Sequence, residues 1–164
     1  MNATQVLATL KARGLKLAIA ESITGGALSA EFVCVPGASE VFLGSVVAYR
    51  TELKHELLGV SKSLLDTSGP IDPQVAAQMA GGVRSKLATK TGIAENSVIG
   101  LATTGVAGPD AQGGAAPGTV FIAISAAAPV GELVFAHQFS GERNEVRAQA
   151  VAQAVAALGE CLAG

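Results

Sequence analysis

The sequence predicts an α/β fold, a three-layer α/β/α sandwich built on a mixed, mainly parallel sheet. Short and almost wholly apolar runs, such as residues 97–102, are typical of strands buried on both faces of a sheet. These runs alternate with segments of helical periodicity, and the last two are close enough for an antiparallel hairpin. With 164 residues, of which 49% are hydrophobic and 15% charged, the chain is predicted to form a single domain over residues 1–164.

The first half of the chain is predicted to alternate between helices and strands. The expected order is a helix capped by Thr4 and ended by Gly14, a strand over residues 15–20, a helix over 27–34, a strand over 42–49 and a short helix over 51–58 ended by Gly59. Residues 60–70 show little periodicity, so no helix or strand is assigned to them.

The second half is predicted to contain two long helices and a hairpin. Asp72 followed by Pro73 indicates a helix start, because aspartate caps helices and proline suits the first helical position. A single apolar stripe then continues to about residue 88. The remaining elements are strands over residues 97–102, 119–126 and 132–139, a turn over 127–131, and a last helix capped by Ser140.

Composition excludes several classes of function. The formal net charge of −2 provides no long-range attraction for nucleic acid or for an anionic membrane. Cys34 and Cys161 are far apart in the sequence and are expected to be buried, reduced thiols. No signal peptide or membrane-spanning run is expected, so a cytoplasmic location is predicted. With two histidines and no clustered carboxylates or thiols, we expect neither a metal site nor a cofactor.

The turn after the first strand is the first candidate for chemistry. Ser22 and Thr24 place hydroxyls there, and Gly25 and Gly26 allow a ligand to approach the backbone. Free N–H groups at the start of the following helix suit an anion or a developing oxyanion. The alternative is that the two hydroxyls only cap the helix.

Three polar segments follow predicted strands, where ligands of open α/β sheets bind. They are residues 21–26, Tyr49 with Lys54 just beyond it, and residues 103–109. A serine nucleophile needs a base, and neither histidine suits: His55 is expected to be exposed and His137 to be a satisfied core residue. Lys54 remains, provided that desolvation lowers its pKa, with Tyr49 as a proton relay. The alternative is a solvated lysine.

The glycine-rich segment over residues 104–118 resembles a backbone nest for an anion, or else a flexible surface loop. It lacks the Lys-Ser/Thr pair of a P-loop, so hydrolysis of nucleoside triphosphates is disfavoured. Arg143 opens the last helix, where a cation opposes the helix dipole. This position suits either a bound anion or a salt bridge to a glutamate.

Six ordered blocks together resemble a known family. They are Ala20-Glu21-Ser22-x-Thr24-Gly25-Gly26, Pro36-Gly37-Ala38-Ser39, Tyr49 with Lys54 ahead of Leu57-Leu58-Gly59-Val60, Thr104-Gly105-Val106-Ala107-Gly108-Pro109, Pro117-Gly118-Thr119-Val120 and Glu142-Arg143-x-x-Val146-Arg147. The chain is similar over nearly its whole length to the CinA C-terminal domain family, whose stand-alone, PncC-type members are nicotinamide-nucleotide amidohydrolases.

The resemblance implies an enzyme of pyridine-nucleotide salvage that converts nicotinamide mononucleotide and water to nicotinate mononucleotide and ammonia. Its substrate is a small phosphorylated pyridine nucleotide. Apart from the resemblance, a homodimer is expected, because the alanine-rich last helix and the long helix that contains Met79 offer faces for it. Residues at the family's site positions are, for catalysis, Ser22, Tyr49 and Lys54, and, for substrate contacts, Glu21, Thr24, Gly25, Gly26, Thr104, Gly105 and Arg143.

In the mechanism that follows from this resemblance, Lys54, through or alongside Tyr49, accepts the Ser22 proton as the hydroxyl attacks the carboxamide. Departures from the family pattern at Ile23, Thr51 and Ile71-Asp72 leave the exact substrate open. The alternatives are a non-catalytic nucleotide-binding module of the competence/damage-inducible type and an amidase acting on another phosphorylated amide.

Overall fold

The structure, a computed structural model, describes residues 1–163. Its sheet has five strands, in the order β2-β1-β3-β4-β5. The pairs of β1 with β2 and with β3 are parallel, and β4 is antiparallel to both of its neighbours. The strands are β1 (Lys16–Glu21), β2 (Phe42–Val47), β3 (Val98–Gly105), β4 (Thr119–Ser125) and β5 (Glu132–Gln138). Because β4 alone opposes the other strands, the predicted mixed, mainly parallel sheet is confirmed.

Helices cover both faces of this sheet. They are α1 (Ala3–Ala12), α2 (Ala27–Val33), α3 (Thr51–Leu58), α4 (Lys62–Ser68), α5 (Pro73–Thr91) and α6 (Arg143–Ala163), with short 3-10 helices at Ala38–Glu40 and Glu95–Ser97. None of the described helices combines the length and apolar character needed to cross a membrane.

Two apolar cores separate the three layers. Along β1, Leu17 and Ile19 pack on the side of α1, α2 and α6, whereas Ala18 and Ala20 pack on the side of α3, α4 and α5. This alternation follows from the period of a strand, and both faces are apolar because both are covered. The predicted three-layer architecture is confirmed.

Several predicted helix boundaries need correction. Asn2, not Thr4, caps α1, since its side chain accepts from Gln5 N–H and the Gln5 side chain accepts from Asn2 N–H. Ser140 does not cap α6, which begins at Arg143. Helix α4 was not predicted, because its seven residues are too few for a clear period.

The carboxyl ends of β1, β2 and β3 meet at one edge of the sheet. Glu21, the last residue of β1, is level with Val47 of β2 and Thr103 of β3. Strand β3 extends further than predicted, to Gly105, so Thr104 lies in the strand and not in a loop. The segments predicted to carry chemistry therefore begin side by side.

Candidate functional site

A cavity of about 370 Å³ lies at this edge of the sheet. Its volume is in the range of small-molecule sites in proteins. The walls come from the segments that follow β1, β2 and β3, from the segment before α5 and from the first residue of α6. The lining residues are Ser22, Ile23, Tyr49, Thr51, Lys54, Pro70, Ile71, Thr104, Gly105, Val106, Ala107, Gly108, Pro109, Asp110, Ala111, Gln112 and Arg143.

Two of the lining side chains, Ser22 and Lys54, are in direct contact. Lys54 Nζ lies 2.9 Å from Ser22 Oγ and 2.9 Å from the carbonyl oxygen of Ala48. Only 1% of Lys54 and 7% of Ser22 are exposed. The alternative that Lys54 is an ordinary solvated lysine is therefore wrong.

The environment of Lys54 favours its neutral form. Burial lowers the pKa of its ammonium from 10.5 to about 8, and the negative charge of Glu52 opposes this shift. At pH 7 a group of this pKa is neutral in about a tenth of the molecules. The neutral amine has a lone pair that can accept the proton of a neighbouring hydroxyl.

The position of Lys54 on α3 explains its burial. Leu58 lies one turn later on the same face of the helix and belongs to the core beneath α5. The last turn of α3 lies against α5, where Gly82 leaves room for the backbone: a Cβ at Gly82 would be 1.9 Å from the carbonyl oxygen of Leu58. A lysine four residues before a buried leucine is thus a sequence signal for an inward-facing side chain.

The carboxylate of Glu21 holds the turn that carries Ser22. Its oxygens accept hydrogen bonds from the N–H groups of Gly26, Leu28 and Ser29 at 2.8, 3.1 and 2.9 Å, and also from the Ser29 hydroxyl. Glu21 is fully buried and does not line the cavity. As a correction, Glu21 serves the turn and not a substrate, and the N–H groups at the helix start, predicted to bind an oxyanion, already have an acceptor.

Thr24, Gly25 and Gly26, predicted as substrate contacts, also lie outside the cavity wall. Thr24 is fully buried, and its hydroxyl is 2.8 Å from that of Thr103. Gly25 and Gly26 have φ values of +59° and +98°, which favour glycine and form the turn itself. These residues position Ser22, whose own N–H donates to the carbonyl of Thr103 at 2.9 Å.

Two neighbouring N–H groups beside Ser22 have no acceptor. Ile23 and Thr24 are buried, and their backbone N–H groups make no hydrogen bond within the described residues 1–163. Buried N–H groups are nearly always paired in folded proteins. Of the two residues, Ile23 lines the cavity next to Ser22, so its N–H group is suited to an atom of a bound ligand.

Thr104 and Gly105 line the cavity, but neither offers a free polar side chain. The Thr104 hydroxyl donates to the carbonyl of Pro70 at 2.8 Å, which fixes the opposite wall. A Cβ at Gly105 would lie 2.5 Å from the carbonyl oxygen of Thr119. Glycine is therefore needed at this position for packing against β4, whereas the prediction assigned it to a ligand.

Tyr49 and Arg143 meet across the cavity. Arg143 donates to the hydroxyl of Tyr49 and to the carbonyl of Gly108, each at 2.9 Å. Tyr49 is 58% exposed and makes no hydrogen bond to Ser22 or Lys54. As a correction, the structure does not support Tyr49 as a proton relay. No salt bridge of Arg143 occurs within residues 1–163, so the alternative that Arg143 pairs with a glutamate has no support there.

Neither histidine lies at the cavity. His55 is exposed, as predicted, with Nδ1 2.8 Å from the carbonyl oxygen of Val60. His137 stacks on Phe139, but its buried Nε2 has no partner in the described chain, so the prediction of a satisfied histidine is wrong. No group of three or more metal-binding side chains occurs among residues 1–163. Cys34 is exposed and Cys161 half-buried, so the prediction of two buried thiols is wrong.

A comparison with known families decides the relationship of this chain. The statistical model of the CinA C-terminal domain matches residues 1–162. The chain belongs to the CinA C-terminal domain family.

Individual CinA relatives agree with this assignment. A CinA-like protein of Frankia casuarinae is 42% identical over 159 residues, which are 97% of this chain and 34% of that protein. The chain spans about a third of the length of the curated relatives it matches.

Solved structures of CinA proteins share the fold. A CinA superfamily protein from Klebsiella pneumoniae has a TM-score of 0.86 at 32% identity and covers 98% of this chain and 95% of its own. The competence/damage inducible protein CihA from Agrobacterium tumefaciens has a TM-score of 0.82 at 29% identity, with coverages of 98% and 92%.

Some features of this CinA-family site were not predicted from the sequence. The carbonyl of Ala48, which orients Lys54, and the N–H group of Ile23 belong to the backbone and leave no residue-type signal. Arg147 also contacts the serine turn, through the carbonyls of Ile23 and Thr24. Arg147 follows Arg143 by four residues, so both arginines lie on one face of α6. This spacing could have indicated from the sequence that Arg147 also lies near the site.

Proposed function

We propose that this CinA-family chain is an amidohydrolase that converts nicotinamide mononucleotide and water to nicotinate mononucleotide and ammonia. The observation that supports it best is the 2.9 Å contact between Lys54 Nζ and Ser22 Oγ, two buried side chains that both line the cavity. A hydroxyl beside a partly neutral amine is the pairing that activates a serine nucleophile without a histidine.

In the first step, neutral Lys54 accepts the Ser22 proton as Oγ attacks the carboxamide carbon. The carbonyl of Ala48 accepts an N–H of the same amine, which aims its lone pair at Oγ. Lys54 then returns the proton to the departing nitrogen, so ammonia leaves and an ester to Ser22 remains. Water attacks this ester by the same route in reverse, and nicotinate mononucleotide is released.

The N–H group of Ile23 is the proposed donor to the oxyanion of each tetrahedral intermediate. Ile23 follows Ser22 and lines the cavity, and its N–H has no acceptor in the described chain. Donors fixed where charge develops are worth about 3–4 kcal/mol of barrier each. This assignment replaces the donors at the start of α2, which bind Glu21.

The phosphate of the substrate is assigned to the far wall, formed by Arg143 and the loop after β3. Arg143 uses two of its five N–H donors on Gly108 and Tyr49, which leaves donors for an anion. Ala107, Gly108 and Ala111 line the same cavity, and their backbone N–H groups have no acceptor within residues 1–163. Binding at this end would orient the carboxamide toward Ser22.

The test is ammonia release from nicotinamide mononucleotide by the wild type and by two variants, Ser22→Ala and Lys54→Met. Each variant is expected to lose at least about 1,000-fold in kcat, because the nucleophile or its base is removed. Matched controls are Ser68→Ala and Lys62→Met, which alter exposed side chains of α4 and should retain wild-type rates.

Three outcomes separate the alternatives. Undiminished ammonia release by Ser22→Ala would refute the serine mechanism. Absence of release by the wild type, with a raised melting temperature in the presence of the nucleotide, would favour the binding-module alternative. Equal kcat/KM for the mononucleotide and its dephosphorylated riboside would contradict the assignment of the phosphate to Arg143 and the loop.

A further inference from the structure

Arg147 of α6 binds the backbone of the turn that carries Ser22. Its Nε donates to the carbonyl of Ile23 at 3.2 Å and its Nη2 to the carbonyl of Thr24 at 2.9 Å. A Cβ placed on Gly25 would lie 3.7 Å from Nη2, so the guanidinium lies directly over the turn. One side chain thus fixes two consecutive peptide units.

The partners of Arg147 are all neutral. Its third hydrogen bond, at 3.3 Å, is to the side-chain oxygen of Asn144, and no carboxylate lies within salt-bridge distance in the described part of the chain. Arg147 is also half-buried. An arginine used only for charge pairing would have a carboxylate partner; here its planar fork is matched to two backbone carbonyls.

These contacts determine where two N–H groups point. Both peptide bonds are trans, since the cis bonds of the described chain are at Pro109 and Pro129. In a trans peptide the C=O and N–H vectors are opposed. Holding the Ile23 and Thr24 carbonyls toward Arg147 therefore turns the N–H groups of Thr24 and Gly25 away from it. The cation also lies at the negative end of each peptide dipole, which polarises the N–H groups.

We infer that Arg147 is a positioning residue for acyl transfer at Ser22: by fixing the Ile23 and Thr24 peptide units, its guanidinium holds the turn that presents the Ser22 hydroxyl and the Ile23 N–H to the tetrahedral intermediate. The inference rests on the proposed function for the reaction class, but it requires only that Ser22 be acylated. Arg147 itself contacts neither the Ser22 hydroxyl nor Lys54.

The first test compares the wild type with Arg147→Gln and Arg147→Lys in nicotinamide mononucleotide hydrolysis. Arg147→Gln is expected to lower kcat about 100-fold while KM changes less than threefold, because the lost interaction exists only in the transition state. Arg147→Lys keeps the charge but not the fork, so a loss of at least tenfold in kcat is expected. Arg13→Gln, which removes an exposed arginine beyond α1, is the matched control and should keep kcat within twofold.

The second test does not depend on the substrate. p-Nitrophenyl acetate acetylates an activated serine: the Ser22 Oγ–carbonyl bond forms, p-nitrophenolate leaves and the serine proton passes to Lys54. The rate of Ser22 acetylation, followed by mass spectrometry, should fall about 100-fold in Arg147→Gln. If the wild type releases no ammonia from the nucleotide but its Ser22 is acetylated, nicotinamide mononucleotide is not the substrate. The acetylation rates of the wild type and Arg147→Gln then still test the role of Arg147.

The inference is overturned if Arg147→Gln retains kcat and the acetylation rate within threefold of wild type, or if its loss lies in KM alone. It is also overturned if raising the pH restores the rate, since Arg147 would then act through the protonation of Lys54. Should Arg147→Gln fail to fold, Arg147→Lys decides the question, because an unchanged acetylation rate in that variant contradicts an orienting role.

Discussion

Lys54 carries a cost in stability that its proposed role explains. It is 1% exposed and has no carboxylate within salt-bridge distance among residues 1–163. Burial of a charged amine is unfavourable, and the lowered pKa of about 8 expresses that penalty. A methionine at residue 54 would fill a similar space without the cost of burying a charge. The burial of a lysine against a serine is therefore most simply explained by chemistry.

The pH dependence of stability follows from this pKa. Lys54 holds its proton up to about pH 8 when folded and up to 10.5 when unfolded. Below pH 8 Lys54 is charged in both states, so its burial lowers the free energy of unfolding by the full amount. Between pH 8 and 10.5 Lys54 keeps its proton only in the unfolded state, and this loss of stability gradually disappears. Relative to Lys54→Met, the wild type should gain about 2–3 kcal/mol in unfolding free energy between pH 7 and pH 10.

Urea denaturation of both proteins at the two pH values measures this change. Lys62→Met, an exposed substitution on α4, provides the control and should differ from the wild type by the same amount at both pH values. A difference between Lys54→Met and the wild type that does not vary with pH would mean that Lys54 titrates alike in both states.

At the level of elements, the site depends on how closely α3 packs against α5. Gly82 of α5 faces the carbonyl of Leu58, at the end of the helix that carries Lys54. Any side chain at residue 82 would displace the last turn of α3. That displacement would move Lys54 relative to Ser22, which is fixed separately by β1 and β3.

Gly82→Ala is therefore expected to reduce both stability and activity. A Cβ 1.9 Å from the Leu58 carbonyl oxygen must displace backbone, at a cost of about 1–3 kcal/mol or more. Gly81→Ala is the matched control: its Cβ would meet nothing closer than 3.9 Å, so the better helix propensity of alanine should stabilise it by up to about 1 kcal/mol. Thermal unfolding and ammonia release are measured for both variants. Equal melting temperatures and equal rates in Gly82→Ala and Gly81→Ala would contradict the role of Gly82 in packing α3 against α5.

For the molecule as a whole, much of the fold is predictable because the apolar runs are strong and well separated. The parallel arrangement of β1, β2 and β3 brings three predicted strand ends to one edge, so the position of the site followed from the order of the elements. The helix over Thr51–Leu58 and its end at Gly59 are confirmed. Assembly into a homodimer stays a prediction.

The details of the site depended on contacts between distant residues and could not be predicted. Local pattern assigns Glu21 to the ligand, yet its carboxylate binds backbone N–H groups that the turn brings to it. Tyr49 lies at the expected strand end but pairs with Arg143, 94 residues away. Arg147 reaches Ile23 across a separation of 124 residues. No local period or capping rule contains such information.

The central claim is that this fold holds a neutral amine at Lys54 against the Ser22 hydroxyl. The pH dependence of kcat/KM for nicotinamide mononucleotide tests it most directly, since this ratio reports ionisations of the free enzyme. From pH 6.5 the ratio should rise about tenfold per pH unit up to an apparent pKa near 8, and it should then stay level up to pH 10. A ratio that is flat over this range, or that falls as the pH rises, would contradict the account.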